Sequence, residues 1–285
     1  MIKLSPKLSQ KLSYLFLFLA TILAIIPGVL IISIIIAKGW SVFFTLKFLT
    51  SMPTSGMLKG GILPAIIGTF LLVIISIFFV LPIGVGAAIY LNEYSKNNLF
   101  TKIIKLAIIN LAGVPSIVYG LFGLGIFVIY LKLGVSIIAG ALTLSMMELP
   151  VVITTAYGAL NSVPLSFREA SLSLGVSRWK TIVHIVLPNA IPGILTGAVL
   201  STARIAGETA PLLFTAVAFY TPHLPHSIRD QVMILPYHLY ITATQIPNME
   251  ENRIFATALA LLIIVLSMNF IAIIARIYFR KNRKW

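Results

Sequence analysis

The chain has 285 residues, of which 59% are hydrophobic and only 10% are charged, and its mean hydropathy is +1.04. A soluble domain carries about a quarter charged residues, so this composition excludes an ordinary soluble protein and predicts an all-α, polytopic membrane protein. The formal net charge of +14 could indicate nucleic-acid binding, but almost all basic residues flank apolar runs, which argues against nucleic acid as a partner and for membrane lipid.

Six apolar runs are long enough to cross a bilayer as helices, whereas a β-barrel would show alternating segments of about ten residues. We predict spans over residues 14–37, 62–91, 103–131, 134–160, 190–219 and 254–279 of one domain covering residues 1–285. The first run follows three lysines and is too long for a cleaved signal peptide, so we interpret it as a retained helix.

The distribution of positive charge predicts the orientation. With the N-terminus inside, most of the 21 lysine and arginine residues fall in cytoplasmic segments, as the positive-inside rule requires. Both termini are therefore expected in the cytoplasm. The segment 161–188 would be a cytoplasmic loop, and residues 220–253 would form the longest external loop.

Charged side chains inside two predicted spans are the clearest functional signal. Arg204 and Glu208 lie near the centre of the predicted fifth span and Glu148 lies in the fourth, where charge usually marks a pathway or binding site. Arg204 indicates an anion, and Thr202, Thr209 and Ser201 could donate hydroxyls to it. A structural ion pair between helices is the alternative for Arg204 and Glu208.

The cytoplasmic loop carries helix-boundary signals. Ser166 and Glu169 have the spacing of a capping box, which predicts a short helix, and Gly175 suits the left-handed residue that ends one. Ser177 could cap a second helix that ends at Pro188. On these signals alone, the loop is either an interfacial helix or a stub that inserts into a cytoplasmic partner.

The spacing within this loop resembles the "EAA" loop of ABC-transporter permeases. The matching residues are Glu169, Ala170, Ser171, Gly175, Ile185, Leu187 and Pro188, with Ser171 in place of the second alanine. The resemblance implies that Arg168 and the residues from Glu169 to Gly175 couple the chain to an ATP-hydrolysing subunit.

The stretch Arg204–Ala216 is similar to the fifth-span signature of the PstA family of phosphate permeases, and further similarity runs from about Gly60 to the last span. It implies a type I ABC importer permease fold in a prokaryotic plasma membrane. The implied partners are a second related permease, a dimer of ATP-binding cassette ATPases and an extracytoplasmic phosphate-binding protein.

Three other functions remain as alternatives: an ABC permease for another oxyanion or small solute, a stand-alone secondary carrier, and an intramembrane enzyme. The sequence has no Gly-x-x-x-x-Gly-Lys-Ser/Thr motif, so we expect this chain to bind no cofactor and ATP to be used by partner subunits. His223, His226 and His238 are a poor metal signal, because no cysteine or carboxylate cluster accompanies them.

Overall fold

The computed structural model describes residues 6–96 and 98–281, and these are mostly helical. The α-helices, in chain order, are α1 Pro6–Phe43, α2 Leu46–Thr50, α3 Leu63–Ile89, α4 Leu99–Leu111, α5 Ser116–Gly123, α6 Ile137–Asn161, α7 Leu165–Ser173, α8 Arg178–Thr181, α9 Leu187–Gly207, α10 Leu235–Thr244 and α11 Glu251–Lys281. Three wider π-helical segments continue α3, α5 and α8, and they cover Tyr90–Tyr94, Leu124–Tyr130 and Ile182–Val186.

The short strands β1 Pro53–Thr54 and β2 Lys59–Gly60 form an antiparallel hairpin between α2 and α3, with Pro53 opposite Gly60. Ser55, Gly56 and Met57 all have positive φ in its tight turn. The hairpin lies at the α10 end of the molecule, where Tyr220 donates a hydrogen bond to the Pro53 carbonyl at 3.4 Å.

Five described helices are long and apolar enough to cross a membrane, and α4 with the α5 segment makes a sixth span if that bent pair is counted as one. The bend measures 104° and lies at Pro115, which has no amide hydrogen and disfavours helical geometry in the residue before it. Tyr119 donates its hydroxyl to the Leu111 carbonyl at 2.8 Å, so a carbonyl released by the break remains bonded. The third predicted span is therefore a broken one.

The fifth span differs from its predicted bounds of 190–219. Its helix begins at Arg178, passes through the π-helical segment and α9, and ends at Gly207. Pro188 lies in the first turn of α9 instead of ending a helix, because a residue without an amide hydrogen is tolerated where π bonding changes to α bonding. The loop before this helix is correspondingly shorter than the predicted 161–188.

Helices α3, α6 and α9 pack together and form the centre of the molecule. Leu72, Leu144 and Ile205 belong to this central core, and smaller clusters surround Ile241 near α10 and Leu160 near α7. Because α6 is the most enclosed of the long helices, a polar residue on it is held by its neighbours and not by lipid.

Helix α1 lies at the edge, packed on α11, and its apolar side chains are mostly exposed. At Gly39 the two helices approach so closely that an added Cβ would lie 2.6 Å from the Phe255 carbonyl oxygen. An apolar helix with an exposed surface suits contact with acyl chains or another membrane protein.

Candidate functional site

The structure brings Arg204, Glu148 and Glu208 together where α9 crosses α6. The Nε atom of Arg204 lies 3.2 Å from Oε1 of Glu148 and 3.7 Å from Oε1 of Glu208. Glu148 is close to the middle of α6, and Arg204 is in the last turn of α9. The three residues thus form a cation between two carboxylates, which we call the Arg204 triad.

Burial within the triad is unequal. The Glu148 side chain is 0% exposed, Glu208 is 17% exposed and Arg204 is 42% exposed. Neither Glu148 oxygen has a hydrogen-bond partner among the described residues. The carboxyl group therefore faces the guanidinium at ion-pair distance, while the arginine has a free surface toward the outside of this single chain.

Two buried hydroxyls, those of Ser76 on α3 and Ser201 on α9, also have no hydrogen-bond partner in the described part of the chain. Ser201 precedes Arg204 by one helical turn and is fully buried. Buried polar groups are normally hydrogen-bonded, so the Ser201 hydroxyl one turn from Arg204 suggests a site that receives water or a polar ligand.

The three predicted hydroxyl donors, Thr202, Thr209 and Ser201, have different positions. Thr202 donates its hydroxyl to the Ala198 carbonyl at 2.8 Å, so its proton is used within α9. Thr209 lies beyond the helix, and its carbonyl accepts hydrogen bonds from the amides of Leu212 and Leu213. Ser201, the third predicted donor, is buried on α9 one turn before Arg204.

The chain after Gly207 leaves the helix but stays inside the bundle. Glu208 has extended backbone, and residues Pro211–Phe214 form one 3₁₀ turn. The following loop caps α6: the carbonyls of Thr215, Asp230 and Ile228 accept from the amides of Ser136, Ile137 and Ile138, each at 2.9 Å. Non-helical backbone at membrane depth is tolerated when protein groups satisfy it in this way.

One small cavity touches the triad. Glu208 lies in its wall together with Thr69, Ile205 and Pro236, and its volume of about 10 Å³ suits a single water molecule. A larger apolar groove of about 370 Å³ follows the bend between α4 and α5 and is lined by Tyr119 and by Pro150 of α6.

The loop after α6 has the predicted helix–turn–helix form with different caps. Helix α7 begins at Leu165 after Pro164, two residues earlier than a Ser166 cap requires, and it has no side-chain cap bond. The capping-box prediction is wrong, because Pro164 and not Ser166 is the N-cap residue. The ring of Pro164 holds φ at −55°, so the first turn of α7 forms without a capping hydroxyl. Gly175 has a φ of +78°, which confirms the predicted left-handed turn.

The predicted coupling residues divide between two faces of α7. Glu169 and Ala170 are exposed, as are the apolar side chains of Leu174, at 83%, and Trp179. Ser171 is buried, and its hydroxyl lies 2.8 Å from the Thr181 hydroxyl, so it closes the turn between α7 and α8. This explains why a small polar residue fits the second alanine position.

Arg168 points into its own chain and is 13% exposed. It forms an ion pair with Glu93 in the segment that ends α3, with an Nη2–Oε1 distance of 2.8 Å. It also donates to the carbonyls of Val163 at 2.7 Å and Leu160 at 2.9 Å. Sequence reasoning missed Glu93; an acid at the very end of an apolar run was the available signal.

No group of three or more His, Cys, Asp or Glu residues within residues 6–96 and 98–281 could hold a metal ion. His223 and His226 are stacked with ring centroids 5.5 Å apart. Asp230 accepts from the backbone amides of Ser227 and His226, and these bonds lower the pKa of its carboxyl group. His238 is buried on α10, separate from the other two.

Comparison with solved structures shows the fold. The chain superposes on a permease chain of the MetNI methionine ABC transporter with a TM-score of 0.61 and 14% identity, covering 75% of this chain and 94% of that one. A bacterial ABC transporter involved in the import of the acidic polysaccharide alginate gives a TM-score of 0.66 and 14% identity over 98% of this chain and 100% of that one. The fold is that of a type I ABC importer permease, as predicted.

Comparison with curated sequences shows closer relatives. The phosphate transport system permease protein PstA of Pasteurella multocida is 39% identical over 88% of this chain and 87% of the relative. PstA 1 of Mycobacterium tuberculosis is 34% identical over 91% and 85%, and the probable ABC transporter permease YqgI of Bacillus subtilis is 38% identical over 79% and 81%. Residues 80–284 match the profile of one transport family, and the chain belongs to that family, the binding-protein-dependent transport system inner membrane components.

Proposed function

We propose that this chain is the transmembrane permease subunit of an ATP-driven importer of inorganic phosphate and that Arg204 contacts the anion during its passage. One observation carries the proposal: an intramembrane guanidinium stands between two carboxylates and keeps 42% of its surface free. The PstA relatives support phosphate as the substrate, since they cover most of the chain at 34–39% identity.

The chemistry of the Arg204 triad suits a transported oxyanion. A guanidinium offers a planar fork of donors to a tetrahedral anion and keeps its charge when desolvated. A transport site must also release its ion. Glu148 and Glu208 oppose anion binding through their own charge, so they limit how tightly Arg204 holds phosphate.

The free surface of Arg204 supports a pathway shared with a second subunit. Acyl chains cannot solvate a guanidinium, so its uncovered side requires water or another protein in the membrane. We place a second, related permease there, so that each chain forms half of the translocation pathway. Entry from an extracytoplasmic phosphate-binding protein and release into the cytoplasm follow from an importer with both termini inside.

The exposed face of α7 supports docking to an ATPase dimer. Leu174 and Trp179 are large apolar side chains on a short, polar connection, with Glu169 beside them. Exposed apolar groups of this kind mark contact sites. ATP would be bound and hydrolysed by the partner subunits, and their closure would move α7 and tilt the spans between outward-open and inward-open states.

The test is Arg204→Gln in the assembled transporter, with uptake of labelled phosphate as the measurement. We expect uptake to fall at least about tenfold at an unchanged protein level, because a charge-assisted hydrogen bond contributes about 1.5–3 kcal/mol. Arg229→Gln, an exposed arginine in the external loop, is the matched control. Normal uptake by the Arg204 variant would refute the pathway role.

Two measurements separate the alternative functions. Excess sulfate or molybdate should not compete with labelled phosphate; strong competition would indicate an importer for another oxyanion. The chain alone in liposomes should not take up phosphate without its ATPase, whereas uptake under those conditions would indicate a secondary carrier.

A further inference from the structure

A cluster of charged residues around the buried Glu93 carboxylate joins the coupling helix α7 to the ends of the spans. We call it the Glu93 junction; it comprises Glu93, Arg168 and Arg178. Glu93 is 7% exposed and lies in the π-helical segment that ends α3. It receives one arginine from α7 and another from the start of α8.

Arg168 connects α7 to two spans at once. Its Nε atom lies 3.2 and 3.3 Å from the two Glu93 carboxylate oxygens, and Nη2 approaches Oε1 to 2.8 Å. The outer nitrogens also donate to the Leu160 and Val163 carbonyls at the end of α6. Every nitrogen of the guanidinium is therefore bonded, and a lysine could not reproduce this planar set of directions.

Arg178 connects a third span, the α8–α9 helix, to the Glu93 junction. Its Nη2 atom donates to the Glu93 backbone carbonyl, and its guanidinium carbon lies 5.2 Å from the centroid of the Tyr94 ring. Arg178 begins the continuous helix that leads to Arg204. The junction thus unites the ends of α3, α6 and the α8–α9 helix with α7.

The two faces of α7 have separate tasks. Glu169 and Leu172 on α7, and Leu174 just after it, are exposed, whereas the Arg168 side chain turns inward and is fixed to the spans. A buried ion pair adds little net stability compared with apolar packing, because desolvation offsets the attraction. What the bonds of Arg168 do supply is a fixed position of α7 relative to Glu93, Leu160 and Val163.

We propose that the Glu93 junction is the mechanical link of the transporter, with Glu93 and Arg168 as positioning residues. It makes α7 and the ends of α3, α6 and α9 move as one body, so displacement of α7 reaches the spans instead of being absorbed in the loop. This inference rests on the proposed function, because the displacement comes from the ATPase subunits.

The first test measures coupling in the assembled transporter. We expect Glu93→Gln and Arg168→Lys to hydrolyse ATP while the phosphate imported per ATP falls about fivefold or more, as loss of a typical coupling interaction predicts. Lys180→Gln, an exposed cation of α8, is the matched control and should keep the wild-type ratio. An unchanged ratio in both junction variants would overturn the inference.

The second test needs no variant of the junction and measures rigidity directly. The chain has no cysteine, so spin labels at Tyr90→Cys and Ser173→Cys report the distance between the end of α3 and α7. We expect that distance to stay within about 2 Å between nucleotide-free and ATP-bound states. A larger change would show that α7 moves independently and would refute the link.

The outcomes also distinguish the two proposals. If the wild-type complex imports no phosphate, the proposed function fails whatever the spin labels show. If it imports phosphate and the junction variants keep the wild-type ratio, the mechanical link alone fails.

Discussion

Arg204 and Glu148 form an ion pair in which one partner is enclosed and the other is open: the side chains are 42% and 0% exposed at an Nε–Oε1 distance of 3.2 Å. The Glu148 carboxylate is held inside the bundle, because its side chain has no exposed surface. The guanidinium can turn toward an arriving anion while Glu148 stays in place. This asymmetry is what a site for transient binding requires.

Replacing Glu148 by glutamine should make phosphate bind more tightly and leave more slowly. The amide keeps the shape but removes the charge that competes with the anion for Arg204. We expect both KM and kcat of uptake to fall. If removing the charge of Glu148 favours phosphate binding by about 1.4 kcal/mol, each constant falls by roughly tenfold. Steady-state uptake in proteoliposomes measures both.

Glu208→Gln is the matched comparison for that prediction. The wild-type Glu208 carboxylate lies farther from the guanidinium than that of Glu148, at 3.7 Å, and is partly exposed. Replacing Glu208 should therefore lower KM and kcat by less than replacing Glu148. Unaltered KM and kcat in the Glu148 variant would show that the buried acid has no part in release.

Packing at Gly68 predicts a loss of stability on adding one methyl group. A Cβ there would lie 2.1 Å from the Met233 backbone oxygen and 2.2 Å from a Val232 methyl. Overpacking of this kind costs about 1–3 kcal/mol. Thermal unfolding of Gly68→Ala in detergent should therefore give a clearly lower Tm.

Gly86→Ala on the same helix is its control, because nothing lies within 4 Å of that added Cβ. Its Tm should equal or slightly exceed the wild-type value, since alanine favours helix. Equal Tm values for the two variants would contradict the close contact between α3 and the Val232–Met233 segment.

Gly175→Ala should weaken the turn between α7 and α8 by backbone strain alone. The residue has a φ of +78°, and no atom lies within 4 Å of an added Cβ. A left-handed non-glycine residue costs about 1–2 kcal/mol. Faster limited proteolysis between α7 and α8 and weaker co-purification of the ATPase are the expected results.

The control for the turn is Gly158→Ala on α6, which also has open space around its Cβ but lacks a positive φ. This variant should resist protease like the wild type. If both glycine variants behave alike, conformation at residue 175 is not what holds the turn.

Buried His238 predicts a pH-dependent stability. Burial, with Arg253 nearby, lowers the pKa of His238 to about 4, whereas an unfolded histidine titrates near 6.5. Between these values the unfolded chain binds a proton that the folded chain does not, so stability decreases as the pH falls. The slope is at most about 1.4 kcal/mol per pH unit.

His238→Gln removes this titration and is the comparison for a series of Tm measurements from pH 7 to pH 4. The wild type should lose more stability than the variant below about pH 6.5. Parallel curves would show that the imidazole titrates normally in the folded protein.

The number and order of the spans follow from hydropathy, but the end of the fifth span does not. Residues 208–219 are apolar enough to extend the run, and only the extended backbone at Glu208 and the turn at Pro211 end the helix. The Thr215 carbonyl then accepts from the amide of Ser136, the residue before α6, which is far away in sequence. Hydropathy averaged over a window of neighbouring residues contains no information about such long-range contacts.

The candidate site, like the spans, could be predicted from the sequence only in part. Arg204 and Glu208 are separated by one helical turn, so local spacing was enough to place them together. The contact between Arg204 and Glu148 depends on how α6 and α9 cross, and the ion pair of Glu93 and Arg168 spans 75 positions. Resemblance identified the segment containing Arg168, yet only tertiary packing reveals that this side chain faces inward.

Arg178 and Arg204 are the two ends of one helix, separated by about 39 Å at a rise of about 1.5 Å per residue. A tilt of roughly 5° about the Arg178 end would therefore shift Arg204 by about 3 Å, comparable to the length of a hydrogen bond. A small rotation at one end of the helix is enough to make or break a contact of Arg204 at the other end, without any local rearrangement around it.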